Sequence, residues 1–159
     1  MNPFYRVDNR LVHGQIISTW MPHLRLQRFL VVSDTVPSNG LQMTMFRMAI
    51  PQELEFMAMT VSEAAQWLNQ KGFGQDRTMI LLETIEDAAR LFGAGHPFAH
   101  LNIGNVHHAP GRSAYTNAVY LGGTDIDLLR RLMNRGLRAE IQSLPTESPT
   151  DLRTVLEAG

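Results

Sequence analysis

The chain contains no cysteine, so disulfides, thiolate metal sites and cysteine nucleophiles are all excluded. Lysine is nearly missing as well: Lys71 is the one lysine, and the rest of the 14 Lys and Arg residues are arginine. There is no excess of either charge, since 14 basic residues stand against 15 acidic ones. A balance of this kind lacks the basic face that general nucleic-acid binding needs to displace counterions, so no nucleic-acid partner is expected. No apolar run approaches the roughly 20 residues that span a bilayer. The first ten residues, MNPFYRVDNR, lack the apolar stretch of a secretory signal. A cytoplasmic location is the resulting expectation.

What is present is ordinary for a globular domain: 159 residues, 44% of them hydrophobic and 18% charged. No repeat, low-complexity tract or composition break divides the chain, so residues 1–159 are expected to form a single domain. Short apolar runs alternate with longer amphipathic segments, the pattern of an α/β fold. Strands are predicted at Phe4–Val7, Arg28–Val32, Leu54–Met59, Thr78–Leu82, His100–Ile103, Ala118–Leu121 and Arg138–Gln142. Runs such as FLVV and MILL have no polar alternation, which implies a mainly parallel central sheet covered by helices on both faces. Thr60-Val-Ser-Glu63 fits a capping box, and Thr84–Asp87 and Thr124–Asp127 are looser versions of it. Gly72, Gly93 and Gly136 stand where helices should end. Further helices are expected from near His13 to just before Pro22, over Leu41–Met48, and after Pro149. In an open sheet of this type the functional crevice lies beyond the carboxyl ends of the strands.

The densest chemistry is in Arg6-Val-Asp-Asn-Arg-Leu-Val-His-Gly-Gln15. Two arginines, an acid and a histidine fall between a first strand and a first helix. Free backbone N–H groups and the helix dipole favour an anion beside His13 and Gly14. Gly14 presents no side chain to a ligand. Arg10 offers a planar fork to phosphate oxygens, and Asp8 can orient either His13 or Arg10. A histidine placed in this way can act as a nucleophile or as an acid/base group. Solvated arginines and an ordinary turn aspartate fit the same spacing.

The segment resembles the phosphorylation-site signature of the mannose/fructose/sorbose family of IIB proteins of the bacterial phosphoenolpyruvate-dependent sugar phosphotransferase system. That signature reads approximately R-[IV]-D-x-R-L-[IV]-H-G-Q-[IV], followed by a tryptophan, here Trp20. Val31–Asp34, Leu101–His107 and Ala139–Thr146 extend the likeness over nearly the whole chain. The resemblance implies an α/β fold with one antiparallel edge strand, and a phosphotransferase activity. His13 would accept a phosphoryl group from a phosphohistidine of a IIA protein or domain and pass it to a sugar held by the membrane proteins IIC and IID. Arg10, Gly14, Gln15 and Arg6 would bind the phosphate, and Asp8 would order the loop. No metal and no organic cofactor is implied. Asn9 and Asn105 depart from the usual residues, so the sugar stays open, as does oligomeric state, a homodimer included. A regulatory phosphocarrier without a permease and, further off, a histidine-dependent phosphoester hydrolase remain alternatives.

Around this segment, Ser33, Asp34, Glu83, Asn105 and His107 fall at strand ends where they would rim the crevice, each being equally an ordinary loop residue. Arg25, Arg28 and Arg112 join Arg6 and Arg10 as candidates for an arginine-rich docking rim. His107 and His108, with His96 and His100, lack an acid at ligand spacing and are not expected to bind metal.

Overall fold

The computed structural model describes residues 2–72 and 74–158. Among these residues, the apolar runs pair into one seven-stranded sheet. Its strands are β1 (Phe4–Asp8), β2 (Arg28–Val32), β3 (Glu55–Met59), β4 (Thr78–Leu82), β5 (His100–Asn105), β8 (Arg138–Ile141) and β9 (Thr150–Asp151). The spatial order is β3-β2-β4-β1-β5-β8-β9, with β1 in the middle. Every neighbouring pair is parallel except β8 and β9, which pair antiparallel at the edge. The crossovers are the first helix, over 14–24, and the helices α2 (Gly40–Ala49), α3 (Val61–Lys71), α4 (Ile85–Gly93) and α5 (Gly123–Asn134), with α6 (Leu152–Glu157) closing the chain.

Strand alternation sends side chains to two separate cores. Tyr5, Val7, Leu30, Val32, Ile80 and Leu82 pack with residues of α3, α4 and α5. Phe4, Phe29, Val31, Met79 and Leu81 pack on the other face, with Ile16, Trp20 and Phe46 from the first helix and α2. Both faces are therefore apolar and covered, as the runs implied.

Several elements differ from expectation. The first helix runs over 14–24 and does not stop before Pro22. Its Ile16–Trp20 stretch is π-wound, with the Met21 N–H reaching back to the Ile16 carbonyl, and α1 (Met21–Leu24) finishes it. Pro22 comes just after the π-wound stretch, inside the helix. The expected strand Ala118–Leu121 does not join the main sheet. Only Tyr120–Leu121 (β7) is a strand, paired antiparallel with Ser113–Ala114 (β6), and Val119 bridges to Val106. The helix expected from Thr124 starts at Gly123, its Gly122 N–H bonded to the Asp125 carboxylate at 2.9 Å. Gly93 is the last residue of α4, and Gly95 takes the positive φ after it.

The capping box at Thr60 and Glu63 forms in both directions. In the parallel strands, all carboxyl ends point to one edge. Asp8, Ser33, Glu83 and Asn105 therefore gather there.

Candidate functional site

At the end of β1 the chain makes a tight turn that the Asp8 side chain organises. The Asp8 carbonyl accepts from the Leu11 N–H at 2.9 Å, and its carboxylate accepts from the Arg10 N–H at 3.1 Å. Leu11 pays for the turn with a left-handed backbone, φ 59, which its buried side chain holds in place. Two residues later His13 caps the first helix, its carbonyl accepting the Ile17 N–H at 3.2 Å. Gly14 and Gln15 are the first helical residues, so their N–H groups have no earlier carbonyl in the helix to bond. A side chain on Gly14 would meet nothing within 4 Å, so the protein itself leaves that space open.

Asp8, wholly buried, is the hub. Its Oδ2 lies 3.0 Å from Nε2 of His13 and 3.6 Å from Nη2 of Arg6, and its Oδ1 lies 3.5 Å from Nε of Arg10. Burial alone would push the Asp8 carboxyl up. The bond to His13, the charges of His13 and Arg6 and the Arg10 N–H outweigh it and hold the group below the usual carboxylate range. With Nε2 engaged, Nδ1 of His13 has no hydrogen-bond partner among the described residues. The His13 side chain is 15% exposed. Arg10 is 45% exposed and its Nη2 approaches Oε1 of Gln15 at 3.5 Å. Asp8, Arg10, His13, Gly14 and Gln15 are thus brought together as the sequence suggested.

Arg6 differs. It is not on the rim: it is fully buried, so it cannot offer its fork to a ligand at the surface. Its Nη1 donates to Oδ1 of Asn102 and to the Gln142 carbonyl (2.9 Å), and its Nη2 donates to the Ser143 carbonyl at 3.1 Å. The guanidinium carbon sits 4.6 Å from the Trp20 ring centre. Burial lowers its pKa to about 10 against the raising pull of Asp8, so it stays charged at neutral pH.

The crevice candidates separate into other groups. Ser33 is buried; its hydroxyl donates to Glu83 and accepts from the N–H groups of Thr35 and Val36, each at 3.3 Å. Asp34 ties the end of β2 to α3 and α4, accepting from Arg90 at 2.5 Å and from the Val61 N–H at 3.0 Å. Asn105 donates to the Asn9 side chain and holds the turn to β5. His107 is exposed; its carbonyl accepts from Arg112 at 3.0 Å.

Arg25 and Arg28 do not join a rim either. They lie where β2 begins, at the sheet edge opposite His13, and Arg28 is bound by Glu55 (2.6 Å) and Asp76 (2.8 Å). Arg112 is paired with Asp125 at 3.2 Å. The five histidines outside the motif have different neighbours: His23 the Trp20 ring, His96 the Tyr5 hydroxyl, His100 Glu140, His108 the Tyr120 ring, and His107 solvent. Among the described residues no group of three or more acids and histidines is arranged to hold a metal ion. No described helix is long and apolar enough to cross a membrane.

Sequence reasoning did not find Asn102, Gln142 or Ser143, which anchor the guanidinium. Two of these contacts are backbone carbonyls, which have no signature in residue type.

The chain matches known proteins along its length. Residues 3–159 match the family described as PTS system sorbose subfamily IIB component. The fructose-specific EIIB component of Bacillus subtilis (strain 168) is 27% identical over 151 residues, covering 95% of this chain and 93% of that protein. The mannose-specific EIIAB component of Escherichia coli (strain K12) is 27% identical over 142 residues, which are 89% of this chain but 44% of that longer protein. A solved structure described as a phosphoenolpyruvate-dependent phosphotransferase system superimposes with a TM-score of 0.87 at 27% identity, covering 99% of each chain. The protein belongs to the sorbose-subfamily IIB components of the sugar phosphotransferase system, whose general role is phosphoryl transfer.

Proposed function

We propose that His13 accepts a phosphoryl group on Nδ1 from the phosphohistidine of a IIA partner and passes it to a sugar held by IIC and IID membrane proteins. The observation that carries this reading is the 3.0 Å contact between Nε2 of His13 and the buried Asp8 carboxylate. It commits Nε2 as a proton donor and leaves the Nδ1 lone pair as the nucleophile. In the transfer, Nδ1 forms a bond to phosphorus as the donor's N–P bond breaks, and that electron pair returns to the donor imidazole. His13 keeps its Nε2 proton, and Asp8 opposes the positive charge the ring acquires. Arg10 and the N–H groups of Gly14 and Gln15 are placed to receive phosphoryl oxygens, so the protein supplies alignment and charge stabilisation. No metal or organic cofactor enters the scheme. The name of the Escherichia coli relative joins an A and a B component, which supports a IIA domain as the donor. On this reading the protein works at the inner face of the membrane, reached transiently.

Incubation with phosphoenolpyruvate, the general phosphotransferase proteins and a IIA domain should add one phosphoryl group by intact mass. The label should be acid-labile and alkali-stable, and absent from folded His13→Ala. An acid-stable label, or one on a hydroxyl such as that of Ser33, would refute the reading.

A further inference from the structure

Arg6 occupies a socket whose walls have no role in the scheme above. Across the β1–β5 pair, Arg6 is registered with Asn102 and Val7 with Ile103, but Asp8 is registered with Asn105. Gly104 is therefore the extra residue of a bulge, and it falls beneath the guanidinium. A Cβ on Gly104 would overlap Nη2, Cζ and Nε of Arg6. Gly104 has no positive φ, so its backbone conformation does not demand glycine. What demands it is the space the guanidinium fills.

On the neighbouring side stands Asn102, also wholly buried. Its Oδ1 accepts from Arg6, and its Nδ2 donates to Oε1 of Glu140 (3.1 Å) and Oε1 of Gln142 (3.0 Å). With Nδ2 donating to those two oxygens, the amide orientation is set, and its oxygen must face Arg6. Trp20 closes one face of the guanidinium, and the Gln142 and Ser143 carbonyls accept from Nη1 and Nη2, while the buried Nε–H has no hydrogen-bond partner among the described residues.

We propose that Asn102 and Gly104 are positioning residues for the chemistry of His13: together they fix the Arg6 guanidinium behind Asp8, so that the carboxylate stays ionised and aimed at Nε2. The proposal deepens the phosphoryl-acceptor reading and rests on it for its catalytic consequence. Its physical core, the hold of the socket on Asp8, does not depend on transfer. The charged groups facing Asp8 are Arg6 from its own strand, and Arg10 and His13 from the turn that follows.

The test is a cycle of Gly104→Ala, Arg6→Lys and the double variant, each checked for a cooperative melt. Gly104→Ala should slow transfer from phospho-IIA by roughly ten- to a hundredfold, as expected for a small misplacement at a reacting centre. Lysine lacks the planar atoms that the new methyl would strike. The double variant should therefore transfer no more slowly than Arg6→Lys alone. Losses that multiply, or a Gly104→Ala protein as fast as the parent, would overturn the proposal. The Asp8 carboxyl, followed by carbon-13 NMR in the unphosphorylated protein, should titrate higher in Gly104→Ala than in the parent, and an unmoved titration would equally count against it. Should Gly104→Ala not fold, Asn102→Ser takes its place in the titration, with the same expected and opposing outcomes. If His13→Ala still accepts phosphate while the Asp8 titration moves as described, the acceptor reading fails and the socket stands.

Discussion

Asp8 serves a ring and two guanidinium groups from one buried position, and its protonation state governs all three contacts. Its folded-state pKa lies below the ordinary carboxylate value of about 3.9. The sign follows by linkage: the ionised carboxylate contributes its full stabilisation above that value and loses it as pH falls through the lower folded one. Asp8→Asn should therefore be less stable than the parent in urea at neutral pH, by about 1–3 kcal/mol for a weakened buried charged contact. The gap should begin to narrow below about pH 4, where the unfolded chain's carboxyl takes up a proton while the folded one, held lower, still resists it. A gap constant from pH 3 to 7 would mean that Asp8 is not the linked group. The cluster of His13, Asp8 and the exposed Arg10, from which the acceptor role is proposed, was legible in the sequence because the three share one short segment. Arg6 was misplaced at the rim, although its position within a buried strand put it on the same face as Phe4 and Asp8. Strand alternation predicts that face, but cannot supply the carbonyls from 136 and 137 residues away that make burying a cation tolerable.

Among the elements, the turn over 8–13 holds one of the two left-handed non-glycine residues among the described residues, the other being Arg25. Leu11 holds a left-handed conformation, φ 59, with its side chain almost fully buried. Shortening it to alanine keeps the strain and removes the packing, a loss of about 2–5 kcal/mol. Glycine removes the packing too, but it relieves a backbone penalty of roughly 1–2 kcal/mol. Leu11→Gly should thus be at least as stable as Leu11→Ala, the reverse of the usual order; thermal melts of the two proteins decide it. Long periodic elements and the Thr60 cap were readable from residue spacing. The two-residue strands β6 and β9 were not, and β7 was read as the longer Ala118–Leu121, because two residues contain no period and their pairing is set by tertiary neighbours. The first helix escaped its proline boundary for a related reason: π-winding ahead of Pro22 is a change in hydrogen bonding that composition does not announce.

At the scale of the whole molecule, the polarity of the parallel strands separates two edges. One edge has the acceptor turn, the Ser33–Glu83 pair and the Asn9–Asn105 tie. The other has the Arg28 ion pairs. On the proposed function, a partner that serves His13 would approach the first edge, where Arg10 is exposed beside His13 and Arg112 is paired with Asp125. The helix-covered parallel sheet was legible because both of its faces are apolar. The socket around Arg6 was not, because it joins residues from β1, β5 and the end of β8.

Strand β1 is bonded on both sides, to β4 and β5, in the middle of the sheet, and Phe4–Asp8 are all buried. Measured as deuterium uptake, such a strand releases its amides only when the entire domain comes apart. The amides of Tyr5, Arg6 and Val7 should exchange with the free energy of global unfolding, and those of the short β6–β7 pair far sooner. Equal uptake in the two places would contradict this order. His13 is thus tethered, five residues beyond Asp8, to the slowest clock in the molecule. On the proposed function, phosphate would come and go at its imidazole while the strand behind it scarcely opens.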